Sequence, residues 1–286
     1  MLKYAAFISY LGTDFCGWQK QKETSSQKKT SVQSTLEKAV HQMTGETVSV
    51  VGSGRTDAGV HALGQTVHFV LKQKEWDHRI LQKGLNAILP NSIQAMGVHP
   101  VAIDFHAQRS AVKKQYSYYF QQGPCAFPHI EPYSWWIRKE LNLQAMQDAV
   151  QALVGVHDFK PFQASGAKPG PTVREILEAE VTLQEITFPG LGIELGGGLV
   201  NTHRIGCVRV RLLGTGFLKQ MVRGIAGTLL QVGEGRRPSS CIQTILETKN
   251  RLSVGPTAPA RALWLEKVWY PASFGLPWST DLSTEP

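Results

Sequence analysis

The sequence is poor in cysteine. Cys16, Cys125, Cys207 and Cys241 are far apart and form no Cys-x-x-Cys pair, which argues against a zinc site. A reduced, cytoplasmic setting fits, with the cysteines as ordinary core or surface residues. Long hydrophobic runs are also missing. No apolar stretch approaches the roughly 18 residues of a membrane helix, so no membrane partner is expected. Residues 4–11 form a short apolar patch after Lys3, but Asp14 follows closely and no small-residue cleavage site appears; no signal peptide is read here. Charge is sparse at 18%, yet hydrophobic residues reach 42%, a balance that excludes wholesale disorder.

What is present is length and a positive balance. The 286 residues predict about two domains or one large one at roughly 150 residues per domain. That is enough chain for a buried core without disulfide or metal staples. Lys and Arg number 30 against 22 Asp and Glu, a net charge of +8. This excess favours a polyanionic partner, nucleic acid first. A merely soluble basic enzyme has the same balance, and charge alone does not separate the two.

Periodicity organises the chain into two similar halves. Residues 3–10 read as a strand. Thr30-Ser-Val-Gln33 has capping-box spacing, and Val32, Leu36, Val40 and Met43 follow at helical intervals. Residues 47–51 and 66–71 read as strands, and Asp77 caps a helix carrying Ile80, Leu81, Leu85 and Ile88 that stops at Pro90. Residues 93–101 close a β-α-β-β-α-β unit. The second half repeats the order with additions: strands at 115–120, 173–183, 207–212 and 263–270, a helix capped by Asn142, and a helix at 217–232. Val208, Val210 and Leu212 share one face of their strand, and Arg209 and Arg211 the other. The expectation is an α+β protein of two ferredoxin-like (βαββαβ) domains, 1–104 and 105–286, sharing an extended, mostly antiparallel sheet. Residues 19–29, 161–172 and 189–203 read as loops, and the tail after Pro271 as a loosely packed strap.

The densest chemical signal is Val51-Gly-Ser-Gly-Arg-Thr-Asp-Ala-Gly-Val-His61. Its glycines permit positive φ and close backbone approach around Arg55 and Asp57. No Gly-Lys-Ser/Thr follows, so it is not a Walker loop, and the strand that follows excludes a dinucleotide fingerprint. Local chemistry leaves two readings: a structural turn with an Asx hydrogen bond, or a loop that presents a reactive carboxylate.

Gly54-Arg-Thr-Asp-Ala-Gly-Val-His61 resembles the signature of the TruA family of tRNA pseudouridine synthases. Further pieces similar to that family follow in order. They are Tyr10-Leu-Gly-Thr-Asp-Phe-Cys-Gly-Trp-Gln19, Ser31-Val-Gln33, Gly64-Gln-Thr-Val-His-Phe69, Phe105-His-Ala107, Tyr116-Ser-Tyr118, Gly216-Phe-Leu-Lys-Gln-Met-Val-Arg223, Ala262-Leu-Trp-Leu265 and Val268-Trp-Tyr270. The resemblance spans residues 3–270 and implies the pseudouridine synthase fold.

It also implies the reaction, uridine to pseudouridine at positions 38, 39 and 40 (tRNA numbering) of the anticodon stem-loop, without metal or cofactor. The implied partners are tRNA and a second copy of the chain in a homodimer. Asp57 matches the essential aspartate, a carboxylate suited to nucleophilic or base chemistry at a sugar. Arg223 matches the cation that pairs with that aspartate in the family; the lesser reading is a surface arginine beside an apolar helix face. Tyr116 matches the tyrosine that packs on the target base, with a core strand tyrosine as the other reading. Tyr118, two residues on, faces the same side and is the more core-like of the two. Arg55 matches an arginine beside the target nucleotide, placed to fill the vacated space and contact phosphate.

His61, His68 and His106 are read as structural groups, and Asp14 and Trp18 as shaping the site or its rim. The lysine-bearing loop at 19–29 is either an RNA-backbone contact or a solvated loop.

Two departures stand out. The family's Phe-His-Ala-Arg is Phe105-His-Ala-Gln108 here, with Arg109 one place later; on a strand such a shift would turn the arginine to the opposite face. The glycine-rich 189–203 segment is longer than usual for the family. The rival functions are a non-catalytic RNA-binding module, a pseudouridine synthase acting on another RNA, and a small-molecule glycosidase. The last is disfavoured by the basic charge and the lack of a second carboxylate in a matching motif.

Overall fold

The computed structural model describes residues 1–21, 29–167, 169–189 and 202–279, with backbone only for 185–189 and 202–205. Most of the expected lysine-bearing loop and of the 189–203 segment lies outside the described residues. The elements are β1 (Leu2–Tyr10), α1 (Val32–Thr44), β2 (Val51–Gly52), β3 (His61–Leu71), α2 (His78–Ile88), β4 (Ile93–Val101), β5 (Lys113–Gln122) and β6 (Trp135–Ile137). They continue with α3 (Leu143–Gln151), β7 (Gly155–Asp158), β8 (Val173–Pro189), β9 (Thr202–Gly214), α4 (Met221–Gly233), α5 (Cys241–Thr248) and β10 (Leu263–Trp269). Helices and a mixed set of strands make this an α+β fold, as expected.

The chain forms two compact units. The first contains Met1–Tyr116, Leu213–Gly216 and Trp264–Pro286; the second contains Ser117–Leu212 and Phe217–Leu263. Strand β5 therefore begins in the first unit and ends in the second.

In the first unit the strand order is β4-β1-β3-β10-β5, with β2 on β3. Strand β1 is antiparallel to both neighbours, pairing Ala6 with Val67 and with Val98. Flanked on both edges, it buries Tyr4, Ala5, Ala6, Ile8 and Tyr10. Helix α1 contributes Val32, Leu36, Ala39 and Val40 to this core, and α2 contributes Leu81 and Leu85. Ile80, expected inward, is 56% exposed. Both caps are side-chain oxygens. The Asp77 carboxylate accepts from Arg79 N and Ile80 N. At α1 the cap is Ser31, whose Oγ accepts from Ser34 N at 3.1 Å, rather than Thr30. Gln33 is thereby released from capping; its amide donates to Glu37 and to Val50 O, bracing the approach to β2.

The β-α-β-β-α-β order is realised, with adjusted boundaries. The strand expected at 47–51 shrinks to β2, while β3 begins at His61 rather than at 66. Strand β10 adds alongside β3 in parallel, pairing Trp264 with His61 and Leu265 with Ala62. The chain just beyond it is not a loose strap. Trp278 stacks on Phe7 at 5.7 Å, its Nε1 donates to Thr66 Oγ1, and Ser279 Oγ accepts from Tyr270 N at 2.6 Å.

In the second unit the order is β5-β9-β8-β7, with β6 on β5. Strand β9 shows the expected alternation. Val208, Val210 and Leu212 are fully buried, while Arg211 forks between Glu178 at 2.8 Å and Glu180 at 3.0 Å. Helix α4 is buried along nearly its whole length and packs against α3. It starts four residues later than its apolar spacing suggests, because Gln220 adopts φ +60° and breaks the helical run before Met221. Strands β6 and β7 and helix α5 were not anticipated. All are short, at 3, 4 and 8 residues, below the length at which periodicity gives a signal.

One contact near the site tests the packing directly. A Cβ on Gly12 would lie 2.0 Å from the carbonyl oxygen of Val60, a backbone atom that cannot swing away. Gly12→Ala is expected to destabilise the protein by about 1–3 kcal/mol, read as a lower urea midpoint. An unchanged midpoint would mean that Gly12 and Val60 are not packed this closely.

Candidate active site

The segment between β2 and β3 carries Arg55 and Asp57, and several of its backbone polar groups have identified partners. Ser53 N donates to Thr66 O at 2.8 Å. The Ser53 carbonyl accepts from Lys114 Nζ at 2.6 Å, and the Gly54 carbonyl accepts from Gln65 Nε2 at 2.9 Å. Ser53 Oγ also donates to Gln65 Oε1. The Thr56 carbonyl accepts from Trp18 N at 3.0 Å, and the Thr56 hydroxyl shares a 2.7 Å hydrogen bond with Tyr10 Oη. The Asp57 carbonyl closes a turn with Val60 N at 3.1 Å, and Gly59 supplies the φ of +81° that this turn requires. Beside it, Gly17 sits at φ +105°, where a Cβ would lie 2.9 Å from Thr56 O. The loop is thus fixed by its own turn and by contacts from β1, β3 and β5.

Three of the four expected site residues fall in the first unit. Asp57 is half-buried and Arg55 is exposed. Tyr116 is buried, and its phenol is held well above the usual tyrosine range, chiefly by burial, then by Tyr10 and the negative charge of Asp57. The structure thus brings Tyr116 within electrostatic range of Asp57. The Tyr10 phenol is likewise pushed up by burial, to about 12. Tyr116 is therefore neutral at any physiological pH and offers a ring face and a neutral hydroxyl rather than a base. Arg223 lies in the second unit, in the first turn of α4. Its Nε donates to Ala258 O at 2.8 Å and its carbonyl accepts from Ala258 N at 3.1 Å. Its charge is felt by Tyr118, whose hydroxyl donates to Pro259 O at 3.0 Å. Two cavities of about 250 and 450 Å³ in the second unit contain none of these four residues.

Several motif residues turn out to be supports. His61 Nδ1 accepts from Gly12 N at 3.1 Å and its ring stacks on Trp264 at 4.3 Å. Trp18 is buried against Tyr10 and Gly52 rather than lying at a rim. Residues 105–110 form a turn rather than a strand. His106 Nδ1 accepts from both Gln108 N and Arg109 N at 3.2 Å, and His68 Nδ1 accepts from Ala107 N at 3.1 Å. The face-reversal argument therefore does not apply to Arg109, which is exposed and whose charge reaches His68 and His106. Lys114 and Gln65, which hold the loop, were missed as site residues. The available signal was strand alternation: Lys114 and Tyr116, two apart, lie on one face of β5.

The described residues thus bring together a half-buried carboxylate, a buried neutral tyrosine within its electrostatic range and an exposed arginine two positions away, in a chain of net charge +8. Residues 6–108 and 149–271 match the family described as tRNA pseudouridine synthase, and the chain belongs to that family. It is 38% identical over 269 residues to tRNA pseudouridine synthase A of Bdellovibrio bacteriovorus, covering 92% of this chain and 93% of that one. It is 37% identical over 271 residues to the protein of the same name from Streptococcus thermophilus, covering 94% and 100%. The like-named protein of Blochmanniella pennsylvanica is 34% identical over 277 residues, covering 97% and 96%.

The histidine cluster gives a pH prediction. Burial, with His106, Lys3 and Arg109 nearby, holds the His68 pKa down to about 4 from 6.5. Between those values the unfolded chain binds the proton and the folded one does not. The contribution to stability is therefore complete above pH 6.5 and is lost as pH falls toward 4. His68→Gln is expected to show a shallower decline of melting temperature across that window than the wild type. Parallel declines would contradict the assignment.

Proposed function

We propose that this chain is a cytoplasmic tRNA pseudouridine synthase that isomerises uridines 38, 39 and 40 of the anticodon stem-loop. The observation that carries the reading is the family match over 6–108 and 149–271, with Asp57 placed where its charge reaches Tyr116. In the reaction the N1–C1′ bond of uridine breaks, the uracil turns, and C5 bonds to C1′. C5 gives up its hydrogen as a proton and N1 gains one, so the balance needs no oxidant, metal or cofactor.

Asp57 is the group proposed to act on the nucleoside, as nucleophile or base at the sugar. Tyr116 supplies a neutral ring against which the extruded base packs. Stacking contributes about 1–3 kcal/mol per base and offsets much of the few kcal/mol that extrusion costs. Arg55, exposed two residues before Asp57, contacts backbone phosphate or fills the space the base leaves. Arg223 is carried over on its Met-Val-Arg motif as the cation of the site. Recognition of the stem is by shape and phosphate, with salt-sensitive affinity. Two copies of the chain are proposed to hold one tRNA.

Unmodified tRNA transcripts test the reading, with pseudouridine mapped by carbodiimide-dependent primer-extension stops. Wild type should give stops at 38–40 and Asp57→Ala none. Tyr116→Ala should lower kcat/KM by about 5- to 150-fold, the equivalent of one stack, while Tyr116→Phe keeps most of it. Tight binding without stops would favour a non-catalytic RNA-binding module. Competition by ribosomal RNA, with stops in it alone, would favour a different RNA substrate.

A further inference from the structure

The chemistry of the loop rests on how it is held, and one of its tethers is a charged side chain from another strand. Lys114 lies two residues before Tyr116 on β5, so the two side chains leave the same face. Their tips converge on one residue of the loop. A Cβ on Gly54 would sit 3.4 Å from Lys114 Nζ and 4.0 Å from Tyr116 Oη. Lys114 Nζ also donates to the Ser53 carbonyl at 2.6 Å. The next carbonyl, that of Gly54, is taken by Gln65 of β3. Two successive peptide units, immediately before Arg55 and Asp57, are therefore clamped from two different strands.

We propose that Lys114 is a positioning residue for the isomerisation: its ammonium ties the Ser53–Gly54 backbone to β5 and so sets the placement of Asp57 relative to Tyr116. This inference rests on the proposed function for its catalytic consequence and on the hydrogen bonds alone for the tether. An ammonium suits the task, because a charge-assisted bond to a carbonyl is stronger than a neutral one. Gly54 suits it too, since a side chain there would meet both β5 tips. Lys114 acts through the loop and does not need to touch RNA. That separates it from an ordinary phosphate contact, whose removal weakens binding and lowers the salt slope by about one.

The test uses the full chain with Lys114→Met, which keeps the stem and removes the donor, and Lys114→Arg, which keeps a charged donor. Three quantities are read: the single-turnover rate on a tRNA transcript, tRNA affinity across a salt series, and hydrogen exchange of the amides at 54–57. Lys114→Met should lose about 10- to 100-fold in rate, the scale of a small misplacement. Its salt slope should be unchanged and its loop amides should exchange faster. Lys114→Arg should recover most of the rate. Should Lys114→Met not fold, Lys114→Leu, which likewise lacks a donor, is read in the same way. An unchanged rate, or a loss confined to affinity with a lower salt slope, overturns the proposal. If wild type makes no pseudouridine, the functional reading fails, and loop exchange alone then decides the tether: faster exchange in the variant upholds it and unchanged exchange overturns it.

Discussion

The arrangement depends on satisfying the backbone of one short loop. Between β2 and β3 the chain leaves regular strand pairing, yet it runs half-buried, where an unpaired carbonyl or N–H costs about 1–3 kcal/mol. The solution is a ring of partners for the backbone, Thr66 and Gln65 from β3, Lys114 from β5 and the Trp18 amide, while Tyr10 from β1 holds the Thr56 hydroxyl. Thr66, Gln65, Lys114 and Tyr10 sit on strands, and Trp18, between elements, is itself buried. The consequence is a tethered backbone that carries an exposed Arg55 and a half-buried Asp57, as a preorganised site requires.

The same constraint explains the surrounding composition. Gly12, Gly17 and Gly52 let Val60, Thr56 and Trp18 approach closely, and in each case a Cβ would fall within 3 Å of its neighbour. Tyr10 and Tyr116 are buried phenols held neutral, so neither adds a negative charge beside the carboxylate. His61, His68 and His106 use ring nitrogens as acceptors for backbone amides. Histidine here serves as structure in a region where a reader of motifs would look for an acid or base.

Much of this was legible in the sequence wherever the signal was local. Asp77 and Asn142 cap helices as their positions suggest. The alternation of Val208, Arg209, Val210, Arg211 and Leu212 fixed a strand and its faces. The Asp57 loop stood out because its glycines are dense. What was not legible is non-local. Lys114 meets Ser53 across 61 positions and Trp278 meets Thr66 across 212; no period or spacing reports such pairs. The α4 boundary was misjudged because Leu218 is buried although it precedes the helix, so burial mimicked helical periodicity across the Gln220 break. Thr30 lost the cap to Ser31 by one residue, a choice that capping chemistry alone does not decide.

The central claim is that the Asp57 carboxylate drives isomerisation of uridine in tRNA. Tritium at uracil C5 reports it most directly, because C5 loses its hydrogen only when it becomes the glycosidic carbon. Wild type and Asp57→Asn, which is nearly isosteric and keeps the backbone carbonyl that accepts from Val60 N, would be compared on C5-tritiated tRNA. The account predicts tritium release by the wild type and none above background by Asp57→Asn at equal tRNA binding. Release by both proteins at similar rates would contradict it.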